Sequence, residues 1–268
     1  MIVGITPVRI SLGGGGTDMP EYYEKYGGNV VSTNINQFTY LIVNPTHDNS
    51  FQAFSSDFSS HHKKSSYDKL QTIHGTEIAV STVKYFKYRV GGDFLICSDV
   101  PPGSGLGASS TLAVNCVNTI SKLKKQKLSK QKIAETAFHI ERNLLKHPIG
   151  KQDDYVASFG GLNYIKFSPI KISKPSLKKL EENLLLFYIG VTRNSSIILS
   201  KQLEYIKKNK ENTINSLHYV QNLGEEINSS LKQSDITNVG ELLHKGWEAK
   251  KKFANGISNN YIDKIYES

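Results

Sequence analysis

The chain has 268 residues, 38% apolar and 21% charged, with a formal net charge of +9. That size and balance suit a globular protein with a real core, in one large domain or two small ones. No apolar run is long enough to span a bilayer, which excludes a helical membrane protein. The start, M-I-V-G-I-T-P, has no basic segment followed by an apolar run, so no signal peptide is read there. Cys97 and Cys116 lie in apolar strand and helix patterns and read as small core residues in a reducing compartment, not as a disulfide or metal pair. Together these features imply a cytoplasmic location. The positive charge favours anionic substrates. Nucleic-acid binding ranks a distant second, because the run Lys122, Lys124, Lys125, Lys127, Lys130 and Lys132 has no interleaved aromatic residues and falls on a solvated turn between two helices.

In chain order, Met1 to Leu12 reads as a strand, with Val8, Ile10 and Leu12 alternating. Gly13 to Asp18 reads G-G-G-G-T-D, where backbone must come close to something and Asp18 brings a carboxylate to the open spot. A flexible turn with Asp18 as a turn or cap residue explains the segment equally well. Asn29 to Pro45 contains a β-like alternation. Asn49 to His74 is polar, and its His61, His62, Lys63 and Lys64 cluster reads as a solvated loop. Thr76 to Arg89 reads as a helix, and Asp93 to Val100 as a short buried strand.

Pro101 to Thr111 follows as P-P-G-S-G-L-G-A-S-S-T, and Leu112, Cys116, Ile120 and Leu123 then recur at helical spacing. Gly103, Gly105 and Gly107 allow unusual backbone angles, and amides curled at a helix N-terminus form an anion site. The hydroxyls of Ser104, Ser109 and Ser110 can reach phosphate oxygens or a metal. A plain connection with Ser109 or Ser110 as N-cap is the less favoured alternative, and the absence of a Lys after the last glycine excludes a Walker A loop.

Ser129 caps a further helix whose apolar stripe is Ile133, Ala137, Ile140 and Leu144. Glu141 sits beside that stripe, so its carboxylate is partly buried and needs a cation or donor, either an ion-pair partner or a metal. Pro148 ends the helix, and Gly150 to Asn163 reads G-K-Q-D-D-Y-V-A-S-F-G-G-L-N. Beyond it, Gly161–Phe167 and Leu184–Ile189 read as strands, and Ser195–Ile206, Thr213–Leu231 and Asp235–Lys251 as amphipathic helices. Trp247 is assigned to the core in preference to a sugar-facing position, and Arg193 precedes a helix where it could bind a phosphate.

Three of these segments, in order and spacing, resemble the GHMP kinases (galacto-, homoserine, mevalonate and phosphomevalonate kinases). P-P-G-S-G-L-G-A-S-S resembles the family's second motif, T-P-V-R-I-S-L-G-G-G-G-T-D its first, and G-K-Q-D-D-Y-V-A-S-F-G-G its catalytic segment. The G-G-G-T-D form of the first motif is most similar to that of sugar-1-kinases acting on D-glycero-D-manno-heptose 7-phosphate, with fucokinase-like and galactokinase-like enzymes as neighbours. Lys151 and Asp154 stand where relatives often carry Tyr and Gln. A second acid beside Asp153 raises a question about local pKa.

The resemblance implies an α+β fold of two domains, 1–160 ribosomal-protein-like and 161–268 ferredoxin-like. It implies ATP and Mg²⁺ as cofactors and a small sugar phosphate as substrate, with no nucleic-acid or membrane partner and a homodimer left open. Asp153 is then the catalytic base and Arg9 the group near the transferred phosphoryl. Pro102, Gly103, Ser104, Gly105, Leu106, Gly107, Ala108, Ser109 and Ser110 hold the nucleotide, and Ser109 and Glu141 the metal. Gly15, Gly16, Thr17, Asp18, Gln152 and Arg193 contact the sugar. A regulatory protein with the same fold and no useful turnover is the rival from another class. GHMP kinases usually carry a third Gly-rich motif, and none follows Thr111; the apolar stripe of Ile262, Ile265 and Tyr266 also stops after about two turns. The expectation is a C-terminally truncated kinase whose C-terminal half exposes apolar surface and whose catalysis is weak or absent.

Overall fold

The computed structural model describes residues 1–175, 178–190, 195–253 and 256–267. The chain opens with strand β1 (Ile2–Gly13), helix α1 (Pro20–Tyr26) and the long strand β2 (Gly28–Pro45). Strands β3 (Phe51–Ser55) and β4 (Ser60–Lys64), helix α2 (Glu77–Tyr85) and strand β5 (Gly92–Ser98) follow. Next come α3 (Ala108–Leu123), α4 (Lys130–Phe138), a π-helical turn (His139–Leu144) and α5 (Gln152–Phe159). The remainder is β6 (Leu162–Phe167), β7 (Lys171–Ser173), α6 (Lys178–Glu181), α7 (Ser195–Lys207), α8 (Glu211–Gln233), α9 (Ile236–Lys250) and α10 (Asn260–Glu267). Strands and helices are mixed along the chain, an α+β protein as expected.

Two compact units emerge. One is Met1–Arg9 with Asn34–Gly160, the other Ile10–Thr33 with Gly161–Ser268. Ile10–Thr33 packs with the later residues, so β1 and β2 each pass from one unit to the other.

In the first unit β5 lies between β2, antiparallel, and β3, parallel, and β4 pairs antiparallel with β3. The sheet's apolar face (Leu41, Val43, Phe51, Phe94, Ile96) packs against Ile78 and Val83 of α2 and Val117 and Ile120 of α3. Each such side chain taken from water stabilises the fold by about 1.5–3 kcal/mol. Buried Asn115 on α3 donates from Nδ2 to Gly4 O at 2.9 Å and to Thr39 O at 3.0 Å, tying β1 and β2 to the helix. A Cβ at Gly4 would lie 2.0 Å from Asn115 Oδ1, so only glycine lets β1 approach. Ser129 caps α4 as expected, accepting from Lys132 N at 3.1 Å. Cys116 is buried in this core, and Cys97 is only half-buried.

The polar stretch 49–74 is not the open loop that its composition implied. Phe51, Ala53 and Ser55 alternate inward on β3, and His62 on β4 is only 1% exposed. It borders a small apolar cavity lined by Phe51, Leu70, Val80 and Phe94. Neither ring nitrogen of His62 has a hydrogen-bond partner. Burial, then the charges of Lys64, His61 and Lys84, hold its pKa below the ordinary value. The unfolded chain therefore binds this proton more readily than the folded one. His62 lets stability stay full above its unfolded pKa of about 6.5, and stability falls as pH drops below that value. We expect the melting temperature of the native chain to fall more steeply between pH 7 and 5 than that of His62→Leu. Parallel curves for the two would show that His62 is not the acid-sensitive group.

In the second unit β2 pairs antiparallel with β6, and β6 with β7. The expected face of α8 is buried, with Leu223, Ile227 and Leu231 against Leu12, Val31 and Leu162, and Leu217 against Met19 and Tyr22. Leu184–Ile189 is not a strand, because no described strand pairs with it and an unpaired segment has no ladder to hold it. Leu185 and Phe187 are 80% and 75% exposed there. Trp247 is partly buried, beside Tyr266 at 5.7 Å between ring centroids, and is not a core residue. Among the described residues, no helix is long and apolar enough to cross a membrane.

Candidate active site

The site is assembled in the first unit around the turn between β5 and α3. Gly103, Gly105 and Gly107 have φ of 77°, 79° and 73°, the left-handed region that favours glycine. Neither serine caps the helix. Gly107 is the N-cap residue, with no side-chain cap bond, so the plain-connection alternative loses its main support. Ser109 Oγ instead donates to Glu141 Oε1 at 2.6 Å, while Ser110 is buried.

Arg9 reaches the same turn from β1. Its backbone N donates to Leu106 O at 3.1 Å and its Nη1 to Gly105 O at 2.7 Å. Its Nε donates to Asp153 Oδ1 at 2.7 Å and its Nη2 to Asp153 Oδ2 at 2.6 Å, a two-point ion pair across 144 residues of sequence. Such forked pairs fix direction as well as distance. A Cβ on Gly107 would lie 2.9 Å from Asp153 Oδ2 and 3.0 Å from Arg9 Cζ. The loop, the cation and the first acid of α5 are thus one packed group.

Glu141 occupies the π-helical turn that continues α4 and is 0% exposed. The turn shifts the phase of the helix, so Leu144, expected in the buried stripe, is 50% exposed and Leu145 packs inward instead. Glu141 Oε1 also lies 3.4 Å from His147 Nδ1, and Oε2 has no partner. The bond to Glu141 raises the His147 pKa, while burial works against it. Asp154 is likewise fully buried, with neither oxygen hydrogen-bonded to another residue. Burial, then the charges of Glu141 and Asp153, push its carboxyl well above the usual range. Lys151 is drawn to Glu135. Its Nζ lies 3.0 Å from Glu135 Oε1, and Tyr155 OH donates to the same carboxylate.

Among the described residues, no group of three or more His, Cys, Asp or Glu side chains is arranged to hold a metal ion by itself. The donors that do gather, a hydroxyl and a buried carboxylate with an orphaned oxygen, suit a hard cation completed by oxygens from a ligand and water. Mg²⁺ fits that set.

In the second unit, the glycine turn carries Gly15, Gly16, Thr17 and Asp18. Thr17 Oγ1 donates to Gly14 O and to Asn29 O, each at 2.8 Å, and Gly16 N donates to Asp18 Oδ1 at 2.9 Å. Asp18 is held nearly buried by the turn, so its carboxylate is fixed in place. Gln152 is buried at the start of α5. Arg193 lies outside the described residues. His147 was missed by the sequence reading; its only signal is a place six residues after Glu141 and directly before Pro148.

Residues 77–161 match the model of the GHMP kinases N terminal domain. The chain is 29% identical to the D-glycero-alpha-D-manno-heptose 7-phosphate kinase of Campylobacter jejuni, over 98% of this chain and 80% of that protein. It is 25% identical to the L-fucokinase/L-fucose-1-P guanylyltransferase of Bacteroides fragilis, over 100% of this chain but only 32% of that protein. A D-glycero-D-manno-heptose 1-phosphate kinase from Bacteroides thetaiotaomicron superposes with a TM-score of 0.74 at 22% identity, covering 96% of this chain and 81% of that one. At that identity the superposition speaks for the fold alone.

Proposed function

We propose that this chain, whose residues 77–161 match the N-terminal domain of the GHMP kinases, is an ATP-dependent sugar kinase. Its acceptor is the anomeric hydroxyl of a sugar phosphate, with D-glycero-D-manno-heptose 7-phosphate the first candidate. The observation that carries the reading is the Arg9–Asp153 pair locked against Gly105 and Gly107. It sets a carboxylate and a permanent cation side by side at an anion-binding turn, as in-line phosphoryl transfer requires.

Each residue then has a defined task. Pro102 to Ser110 cradle the phosphates with backbone amides and hydroxyls. Asp153 accepts the proton of the sugar hydroxyl on whichever oxygen faces it, since each bond from Arg9 leaves a lone pair free. Arg9 stays protonated throughout and offsets the charge that moves between oxygens. Ser109 and Glu141 would hold Mg²⁺, which supplies charge neutralisation to the phosphates when bound. Asp18, Gly15, Gly16, Thr17, Gln152 and Arg193 would hold the sugar.

The test is ADP release with a panel of sugars and sugar phosphates. Heptose 7-phosphate should be turned over with the highest kcat/KM, and equal or better turnover of galactose or fucose would move the reading to a neutral-sugar kinase. The match to the fucokinase over the whole of this chain makes fucose the informative control. Nucleotide binding without sugar-dependent turnover would leave a regulatory protein.

The metal assignment has its own consequence. Glu141→Gln should raise the Mg²⁺ concentration needed for half-maximal turnover while the melting temperature changes little. Unchanged Mg²⁺ dependence with a strongly lowered melting temperature would make Glu141 a structural partner of Ser109 and His147 instead.

A further inference from the structure

Asp154 has no task in the mechanism above, yet it is the most isolated acid of the site. It is 0% exposed, and neither oxygen accepts a hydrogen bond from another residue. Buried carboxylates ordinarily have a cation or several donors. Arg9 spans both oxygens of Asp153, and Lys151 Nζ lies 3.0 Å from Glu135 Oε1. The charges that act on it, Glu141, Asp153 and Glu135, are all negative. Glu141, on the π-helical turn, has the matching defect, a fully buried Oε2 without a partner.

The elements that carry the two acids share α3 and α4 as neighbours. The π-helical turn continues α4, and α5 packs on both α4 and α3, the helix that presents Ser109. We propose that Asp154 is a second carboxylate ligand for the divalent cation assigned to Ser109 and Glu141. The cation would compensate both orphaned carboxylates at once, and the added negative ligand would tighten its hold. This inference rests on the kinase reading, from which the Ser109–Glu141 site is taken.

The test measures Mn²⁺ binding by electron paramagnetic resonance, on the full chain loaded with a non-hydrolysable ATP analogue. Asp154→Asn should weaken Mn²⁺ binding by about tenfold or more, since even outer-shell partners of a metal are worth 10–100-fold. Asp154→Ala, which leaves no oxygen, should lose at least as much. Nucleotide affinity without metal should be unchanged in both, and melting curves confirm that each variant folds. Mn²⁺ bound by a folded variant as tightly as by the native chain would overturn the proposal and leave Asp154 a buried neutral acid. Absence of Mn²⁺ binding in the native chain itself would instead remove the Ser109–Glu141 site, and the proposal with it.

Discussion

Asp153→Asn is expected to lower turnover by roughly 10²–10⁴-fold, the usual worth of a general base, while nucleotide binding survives. Asparagine keeps the shape and still accepts from Arg9 through its amide oxygen. It has no basic oxygen for the hydroxyl proton, and its amide nitrogen meets a guanidinium donor face to face. The loss should therefore fall on kcat. Single-turnover phosphoryl transfer with saturating ATP and sugar phosphate is the measurement to make. Near-normal turnover would remove Asp153 from the chemistry and leave Asp154 or a base-free transfer to explain it.

Arg9→Gln is expected to cost about 10²–10³-fold in turnover, the range seen when one preorganised donor is lost from a reacting centre. Two effects combine. The charge that offsets the phosphoryl oxygens disappears, and the Asp153 carboxylate, 23% exposed, loses both of its fork contacts. The loop also loses the bond to Gly105 O. If the pair works as a unit, the double variant with Asp153→Asn should be little worse than the more severe single one. Costs that simply multiply would show two independent roles. Unchanged turnover in Arg9→Gln would limit Arg9 to holding the loop.

Much of the arrangement was readable before any coordinates. Alternating glycines announced a left-handed turn, and the strand before and helix after it followed from periodicity. Pairing across long sequence distances was not readable: nothing near Arg9 says that its fork closes on Asp153 rather than on a ligand. The β3–β4 hairpin was hidden because its strands are short and polar residues dominate its composition, so only the alternation of Phe51, Ala53 and Ser55 marks it. Leu184–Ile189 misled in the opposite direction, since apolar content alone does not supply a partner strand. Asp154 read only as a second acid beside Asp153; its complete burial depends on the helices around it, which no local pattern encodes.

The π-helical turn at His139–Leu144 makes the site depend on how many residues the helix contains, and not only on which. Each residue of an ordinary α-helix advances the chain by about 100°, and a π turn absorbs one extra residue without changing where the flanking helix points. Deleting His139 or Ile140 would let α4 run on as a regular helix and swing Glu141 about a quarter-turn away from Ser109. An in-frame loss of one codon there should thus be more damaging than most substitutions in the same segment. Sequence comparisons that close this gap to improve identity would set Glu141 against the wrong residue of a relative.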